Sequence, residues 1–276
     1  MRLIQRLLTG MALLLGLALA GCSSLSIAYN QLPFLGGLWI DSYLDLDSAQ
    51  QARMKDKLRT WQAWHRREEL PQWVALLKQA TAALDDGVMT RDELLALERA
   101  GRASVERCLQ HAAPLAAPVL ADLRPEQWQH LQKKIDEKRA EWREKNAGRG
   151  GTVERGKQYV SALERWLGDL DRATRKQARA EAEAWHFDLA ALSEARAQRE
   201  ARTLLALRAW SQQDLAGGTA QLMQLSLPLP AELPYREELI ASVLKLFNGL
   251  DAHQRDDVRQ HWADWQAQLR ALQPGS

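Results

Sequence analysis

Cysteine is scarce in this sequence, which contains only Cys22 and Cys108 among its 276 residues. Such a pair excludes the disulfide framework that stabilises many small secreted proteins. Cys108 lies between charged and apolar neighbours with no catalytic motif around it. A lone cysteine in that setting is more often a small buried apolar residue than a nucleophile.

Signatures of enzymes and metal sites are also missing. The sequence has no His-Glu-x-x-His, no Gly-x-Ser-x-Gly, no glycine-rich phosphate loop and no Cys-x-x-Cys. A di-iron site in a helical bundle needs two Glu-x-x-His motifs, and this chain has one, from Glu183 to His186. We therefore expect no bound metal, no cofactor apart from covalent lipid, and no enzymatic activity.

Acidic residues are absent before Asp41, whereas Arg2 and Arg6 precede an apolar run from Leu7 to Ala20. This layout is typical of a signal peptide, and the run is too short for a committed membrane span. Two of the 37 Lys and Arg residues lie in this segment, which leaves 35 to balance the 35 Asp and Glu residues. A charge-balanced mature chain lacks the basic surface that nucleic acid requires, so we expect no nucleic-acid partner.

The apolar run ends in Leu19-Ala20-Gly21-Cys22, which resembles the lipobox of bacterial lipoproteins. The resemblance implies that residues 1–21 are removed by cleavage between Gly21 and Cys22. It also implies that Cys22 receives a diacylglycerol and an N-acyl chain such as palmitate. Each buried methylene contributes roughly 0.8 kcal/mol, so two chains hold a protein on a membrane. Ser23 stands where aspartate is the usual inner-membrane retention mark, which implies the periplasmic face of the outer membrane.

The predicted tether, residues 22–45, is unusually apolar for a segment of this kind. It either packs along the helical body or rests among lipid headgroups. Tyr29, Trp39 and Tyr43 suit a membrane interface. However, no Lys or Arg lies between Cys22 and Asp41 to meet anionic lipid, so we favour packing on the body.

From Leu46 onward the chain is rich in helix-forming residues and has no window of alternating β-branched residues. This composition predicts an all-α multi-helix bundle over residues 46–276. Thr90 and Glu93 form a capping-box pattern that begins a helix after the Asp85–Gly87 turn.

Glycine and proline predict where the helices end. Residues 148–151 should form a flexible joint, and residues 215–234 should be the longest loop. The stretch from Arg172 to Trp210 contains neither Gly nor Pro and predicts one helix of about 58 Å. Three prolines are expected to break or redirect the chain: Pro114, Pro118 and Pro125.

A leucine-led motif recurs four times, with a polar residue at +4, apolar residues at +8 and +12, and usually tryptophan at +15. The copies begin at Leu46, Leu123, Leu170 and Leu250. The second copy departs from the pattern, with Lys138 in place of tryptophan and Trp142 one turn later. Copies one and three are 124 residues apart and copies two and four 127, which indicates a duplicated multi-helix unit with halves 46–169 and 170–276.

Each copy also predicts a helix start. In the second copy Pro125 takes the first helical position. The other copies supply N-caps and capping-box partners: Asp47 with Gln50, Asp171, and Asp251 with Gln254. Two of the starts, Leu123-Arg124-Pro125-Glu126-Gln127 and Leu250-Asp251-x-x-Gln254, resemble the Leu-Thr-x-x-Gln motif of periplasmic stress chaperones. The resemblance implies a chaperone-like holdase as an alternative function.

Tryptophan is abundant, with 11 residues, most of them placed as core filler. Two clusters of aromatic residues are candidates for a binding surface: Trp61, Trp64 and His65, and His261, Trp262 and Trp265. For His65 the competing interpretation is a helix-surface residue that pairs with Glu68 or Glu69 one turn away.

Three further stretches accompany the lipobox: Tyr29-Asn30-x-Leu32-Pro33, the residues from Trp39 to Leu46, and those from Trp64 to Pro71. Together they look like an uncharacterised family of proteobacterial helical lipoproteins. The resemblance implies an envelope location and a helical fold over the whole chain. We therefore expect a non-enzymatic, membrane-anchored periplasmic lipoprotein that binds another envelope protein or supports envelope structure. The alternatives are the holdase and an enzyme acting on cell-wall or lipid substrates.

Overall fold

The computed structural model describes residues 23–85, 87–225 and 227–274. Over these residues the chain forms eleven α-helices and a short 3₁₀ helix, with no strand, and the predicted all-α multi-helix bundle is confirmed. The helices are α1 (Ser23–Asn30), α2 (Leu32–Leu44), α3 (Ser48–Asp85), α4 (Arg91–Ala121), α5 (Pro125–Asn146), α6 (Gly148–Leu167), α7 (Arg172–Ala184), α8 (Leu189–Ser211), α9 (Leu215–Gln224), the 3₁₀ helix Pro230–Glu232, α10 (Leu233–Asn248) and α11 (Ala252–Ala271).

The predicted helix starts are confirmed. The Asp47 carboxylate accepts the Gln50 backbone N–H at 2.9 Å, while Gln50 accepts the Asp47 backbone N–H at 3.0 Å. Thr90 and Glu93 form the same reciprocal capping box at the start of α4. Pro125 is the first residue of α5. Asp171 and Asp251 likewise cap the helices that follow them.

Pro114 and Pro118 lie inside α4, so the prediction that they break the chain was wrong. Each proline lacks the N–H that bonds four residues back, which leaves the carbonyls of Gln110 and Pro114 without helical donors. Both prolines are exposed, whereas Ala113 and Ala117 beside them are buried. The missing bonds therefore lie on the solvent side, where water can satisfy them and the helix continues.

The predicted single helix from Arg172 to Trp210 was also wrong, because the chain turns after Trp185 and forms α7 and α8. Trp185 is 8% exposed and donates its indole N–H to Ser242 Oγ at 3.1 Å. The Asp188 carboxylate accepts the Ala191 backbone N–H at 2.9 Å and begins α8. A buried ring and an N-cap thus outweigh the helix propensity of the sequence.

The two glycine-containing segments are more ordered than predicted. Residues 148–151 form the first turn of α6 rather than a flexible joint, and the helix break lies just before them at Ala147. The expected long loop at residues 215–234 contains α9 and the 3₁₀ helix. Gly218 lets α9 approach α8 closely, since a Cβ at this position would lie 2.7 Å from the Ala206 carbonyl oxygen.

The helices enclose two hydrophobic cores that share the antiparallel hairpin of α3 and α4. Core 1 holds the start of α3 and the end of α4 together with α5, α8 and α9, and includes Leu46, Leu120, Leu123, Trp128, Trp210 and Leu222. Core 2 holds the end of α3 together with α6, α7, α10 and α11, and includes Leu84, Leu163, Leu170, Trp185, Leu250 and Trp262. Each core draws residues from both predicted halves, 46–169 and 170–276, so the two cores do not correspond to the two halves. The duplication itself stays a prediction.

The four copies of the leucine motif meet in two pairs. In core 1, Gln50 and Gln127 exchange amide hydrogen bonds of 3.2 and 2.7 Å, and both side chains are buried. At core 2, Gln254 Nε2 donates to Asp171 Oδ2 at 2.6 Å. Copy one therefore pairs with copy two, and copy three with copy four. Each pair joins two helix starts through the polar residue of the motif.

Candidate functional site

Helix α2 turns a continuous apolar surface toward solvent. Four of its large side chains are 48–64% exposed, and their spacing places them on one side of the helix: Phe34, Leu35, Leu38 and Trp39. We call these four residues the α2 apolar face. Single exposed apolar residues are ordinary, but a contiguous apolar patch marks contact with a protein, a ligand or a membrane.

The opposite side of α2 packs against α3. Pro33 and Leu44 are buried there. A Cβ built on Gly36 or Gly37 would lie 3.8 or 3.9 Å from Leu58 Cδ1, so these glycines bring the two helices into close contact. The packing that we favoured from the sequence therefore holds for one side of α2 only.

A basic residue borders the α2 apolar face, although the sequence from Cys22 to Asp41 has none. The Lys55 ammonium, from the second turn of α3, lies 5.9 Å from the centre of the Phe34 ring. Sequence reasoning missed this residue because it considered only the segment next to the cysteine. The fold thus places a cation beside the Phe34 ring, and a Lys next to an apolar side chain is a combination suited to a lipid headgroup region.

The end of α1 is fixed to α3 by side-chain hydrogen bonds. The Tyr29 hydroxyl lies 2.8 Å from His65 Nδ1. Gln62 Nε2 donates to the Tyr29 carbonyl, and Arg66 donates to Asn30 Oδ1. Burial raises the pKa of Tyr29 to about 12, so its hydroxyl stays protonated. These bonds hold the segment that follows Cys22 against the helical body.

A buried carboxylate lies one turn along α3 from this junction. Glu69 is 1% exposed and accepts hydrogen bonds from Ser104 Oγ at 2.7 Å and Arg107 Nε at 2.6 Å. Burial alone would raise the pKa of Glu69, but the bonds from Arg107 and Ser104 outweigh it and hold that pKa below its usual value. This cluster links α3 to α4 between the two cores.

His65 is half-buried, and burial lowers its pKa against the opposing effect of the Glu69 charge. The Glu69 part of the predicted pairing is therefore present as an electrostatic interaction, whereas Glu68 pairs with Arg67 and His65 is not an exposed surface residue. Its ring nitrogen bonds Tyr29, and the Glu69 carboxylate is occupied by Ser104 and Arg107.

Cys108 is half-buried on α4 near the same cluster. Burial raises the pKa of the Cys108 thiol to about 11, with the Glu69 charge acting in the same direction. The thiol is therefore protonated at neutral pH and is a poor nucleophile. Cys108 is therefore less enclosed than the buried apolar residue that the sequence indicated.

The first aromatic cluster forms a stack at the junction of α3 and α4. The Trp64 and His111 rings are parallel, with centres 4.1 Å apart. Trp61 lies 4.8 Å from His65 between ring centres and donates its indole N–H to the Cys108 carbonyl at 3.3 Å. Sequence reasoning found Trp61, Trp64 and His65 but missed His111, which lies on the next helix, 46 residues after His65.

The second aromatic cluster lies on α11 against the end of α6. His261 Nε2 is 3.0 Å from the Arg165 carbonyl oxygen, and Trp262 donates to the Trp166 carbonyl at 2.6 Å. Trp262 is 5% exposed, so it belongs to core 2 and not to a surface. Trp265 packs on the Trp166 ring. Within the described part of the chain, no ring contact joins this cluster to the first.

Cys22 and the signal-peptide residues 1–21 lie outside the described residues, so the lipidation and cleavage sites stay predictions. Among residues 23–85, 87–225 and 227–274, no three His, Cys, Asp or Glu side chains are grouped to hold a metal ion. Glu183, from the single Glu-x-x-His motif, pairs with Arg179 at 2.8 Å. None of the helices in these ranges combines the length and hydrophobicity needed to cross a membrane.

The fold and these contacts define an all-α protein in which the α3–α4 hairpin contributes to both hydrophobic cores. Helix α2, near the amino terminus, exposes apolar side chains to solvent. The chain belongs to DUF6279, a family of unknown function, whose model matches residues 42–226. Comparison with the curated proteins gave no match, and comparison with the solved structures gave none either.

Proposed function

We propose that this protein is a non-enzymatic lipoprotein of the bacterial cell envelope. In this proposal the acyl chains on Cys22 hold it on the periplasmic face of the outer membrane. The α2 apolar face lies in the headgroup region beside them. The helical body then binds another envelope protein or supports envelope structure.

The α2 apolar face is the observation that carries this proposal. It begins at Phe34, twelve residues after the cysteine of the lipobox. Hydrogen bonds between the end of α1 and the side chains of Gln62, His65 and Arg66 fix the intervening α1 against the body. Acyl chains on Cys22 would therefore bring the α2 apolar face close to the bilayer surface.

The free energies of side-chain burial and of acyl-chain insertion indicate which of the two holds the protein on the membrane. Fully burying a Leu or Phe side chain contributes about 1.5–3 kcal/mol, so each half-exposed residue of the α2 apolar face has roughly 1 kcal/mol left to gain. Four such residues orient a protein on a membrane but hold it weakly. Two acyl chains, at roughly 0.8 kcal/mol per methylene, supply the stable attachment.

Holdase activity receives no support from the chaperone-like motif. Gln50 and Gln127 are 1% and 2% exposed, and their amides bond each other. An unfolded client cannot reach Gln127. Gln254, in the other copy that resembles the chaperone motif, is partly exposed, but its amide donates to Asp171 Oδ2 at 2.6 Å. In this protein both glutamines join helix starts. Client binding would need other surfaces.

Lipidation is tested by growing cells with radiolabelled palmitate and purifying the full-length protein. We expect label on the wild-type protein, recovery of that protein with outer membranes, and loss of both in Cys22→Ser. Cys108→Ser is the matched control for the other thiol and should behave as wild type. Unlabelled wild-type protein, or label retained by Cys22→Ser, would overturn the lipid anchor.

Contact of the α2 apolar face with lipid is tested by site-specific photocrosslinking in intact cells. A photoreactive residue replaces Trp39, which is 64% exposed, or Leu205, a control on α8 that is 60% exposed. Cells are grown with radioactive phosphate, which marks phospholipids but not the diacylglycerol on Cys22. We expect phosphate label crosslinked from position 39 and not from position 205. A protein adduct at position 39 without phospholipid would contradict membrane contact by this face.

A further inference from the structure

A cleft of about 480 Å³ lies where α5, α6, α8 and α10 surround the turn between α7 and α8. Small-molecule sites have volumes of roughly 300–1,000 Å³. Basic side chains outnumber acidic ones in the lining, with Arg155, Arg196, Arg199 and Arg236 facing Glu98 and Glu232. A cleft of this size and charge is suited to a small anion.

Arg155 is the residue that sets this cleft apart. It is 7% exposed, and its Nε donates to the Ala182 carbonyl at 3.0 Å. Its Nη2 lies 3.5 Å from Thr152 Oγ1, at the long limit of a hydrogen bond. No carboxylate of the described residues forms an ion pair with it. An unpaired buried charge is costly, and an anion in the cleft would offset that cost.

Two of the other three arginines are held by acidic partners. Arg199 makes a two-point ion pair with Glu232 and also donates to backbone carbonyls. Arg236 pairs with Glu98 and Glu237. Their charges are therefore largely neutralised by the protein.

Arg196 is only partly satisfied. Its Nε is 2.9 Å from Glu200 Oε1, but the N–H is not aimed at that oxygen and makes no hydrogen bond within the described residues. Its guanidinium lies 5.4 Å from the centre of the Trp142 ring. The Nε of Arg196 is buried, so the donors that a ligand in the cleft would meet are the terminal guanidinium nitrogens of Arg155 and Arg196. Of these two arginines, Arg196 has an acidic partner and Arg155 has none.

Aromatic rings complete the lining. Phe187 lies 6.3 Å from Trp142 and 5.8 Å from Tyr235 between ring centres, and the Arg155 guanidinium lies 4.5 Å from the Phe187 ring centre. In the second motif copy, tryptophan is found at Trp142, one turn after the expected position 138. The tryptophan at this shifted position lines the cleft. Burial raises the pKa of Tyr235, so its hydroxyl stays protonated and can donate.

We propose that this cleft binds a small organic anion, with a carboxylate or phosphate group against Arg155 and Arg196 and a planar or apolar body against the aromatic rings. A guanidinium fork matches the geometry of either acidic group. The inference does not depend on lipidation of Cys22, since all of the residues that form the site lie in the helical body.

The test is isothermal titration of the purified full-length protein in detergent with phenyl phosphate, phenylacetate and the neutral benzyl alcohol. We expect binding of at least one anion and none of the alcohol. Because Arg155→Met removes the charge-assisted hydrogen bonds between Arg155 and the acidic group of the ligand, we expect it to weaken anion binding by about 10- to 100-fold. Arg165→Met, which removes an exposed arginine from the same helix, should leave binding unchanged.

Arg196→Met provides a second variant should Arg155→Met fail to fold, as judged by circular dichroism, and we expect it to weaken binding as well. Wild-type protein that binds no anion at millimolar concentration would overturn the proposal. Binding that survives both cleft variants unchanged would overturn it too. Inorganic phosphate alone should bind at least tenfold more weakly than phenyl phosphate, and equal affinity would contradict the role of the rings.

Adding soluble dihexanoyl phosphatidic acid to the series distinguishes two classes of natural ligand, anionic lipids and soluble organic acids. Tighter binding of this lipid than of phenyl phosphate and phenylacetate would support the proposal and assign the natural ligand to anionic lipids. Tighter binding of either aromatic acid would support it and assign the ligand to soluble organic acids. Loss with Arg155→Met is required in both cases.

Discussion

At the scale of single residues, the most constrained polar groups are the two glutamines that join the first pair of motif copies. Gln127 bonds Gln50, accepts the Arg124 backbone N–H at 2.9 Å and donates to the Asp45 carbonyl at 2.7 Å. One amide thus satisfies groups from three segments of the chain. Because unpaired buried polar groups are costly, the Gln50–Gln127 pair favours one specific alignment of α3 against α5.

Replacing Gln127 by Met keeps the side-chain volume and removes these bonds. We expect Gln127→Met to lower the free energy of unfolding by about 2–4 kcal/mol, measured by urea denaturation. Gln129→Met on the exposed side of the same helix should change it by less than about 0.5 kcal/mol. In the double variant with Gln50→Met the two losses should be less than additive, and strict additivity would contradict the reciprocal pair.

His65 makes stability depend on pH. Burial lowers its pKa in the folded protein, so below about pH 6.5 the unfolded chain binds the proton more readily. Stability should be unaffected by His65 above that pH and fall as the pH drops below it. His111 acts in the same direction, since burial and then Arg67 lower its pKa. Tyr29 and Cys108, whose pKa values are raised to about 12 and about 11, do not titrate in this range.

We therefore expect the free energy of unfolding to decrease from pH 7 to pH 5, with a shallower decrease in His65→Gln. Glu69 has a lowered pKa and its contribution is lost only at more acidic pH, so the two effects separate. His253→Gln, at a side chain that is 86% exposed, is the control and should keep the wild-type slope. An unchanged slope in His65→Gln would contradict a lowered pKa of the half-buried His65.

At the scale of helices, the starts were predictable and some of the interruptions were not. A capping box is local, so Asp47 with Gln50 and Thr90 with Glu93 could be found from spacing alone. The turn after Trp185 depends on Ser242, which lies 57 residues away in the chain. No local pattern contains that contact.

The same distinction applies to the candidate site. The apolar composition of α2 was evident, but the side that faces solvent is decided by α3. Leu58 fits against Gly36 and Gly37 and thereby turns Phe34 and Trp39 outward. The regular spacing of residues on a helix can be counted along a sequence, whereas the position of the helix that packs against it cannot.

Two helical glycines, Gly218 in α9 and Gly101 in α4, give predictions of opposite sign. A methyl group at Gly218 would meet the Ala206 carbonyl oxygen and the Trp210 ring. We expect Gly218→Ala to lower the free energy of unfolding by about 1–3 kcal/mol. Gly101 lies inside α4 with no neighbour within 4 Å of a built Cβ, so Gly101→Ala should raise stability by about 0.5–1 kcal/mol. Thermal unfolding of both variants checks the pair, and a neutral Gly218→Ala would contradict the close helix contact.

At the scale of the whole molecule, two cores are connected by helices that belong to both. The antiparallel α3 and α4 hairpin contributes Met54 and Leu120 to core 1 and Leu84 to core 2. Glu69 and Arg107 bridge the same two helices between the cores. Since neither helix can unfold in one core without losing backbone hydrogen bonds next to the other, the cores should be energetically coupled.

This coupling predicts a single unfolding transition for the whole helical body. Trp262→Ala removes a ring that is 5% exposed in core 2 and should lower the free energy of unfolding by about 3–5 kcal/mol. Trp128→Ala should act similarly from core 1, and each variant should shift the same transition. Hydrogen exchange provides the independent readout, because Trp262→Ala should also speed the slowest exchanging amides of α8 in core 1. Two separate transitions, with core 1 amides unaffected by the core 2 variant, would show instead that the shared hairpin fails to transmit stability between the cores.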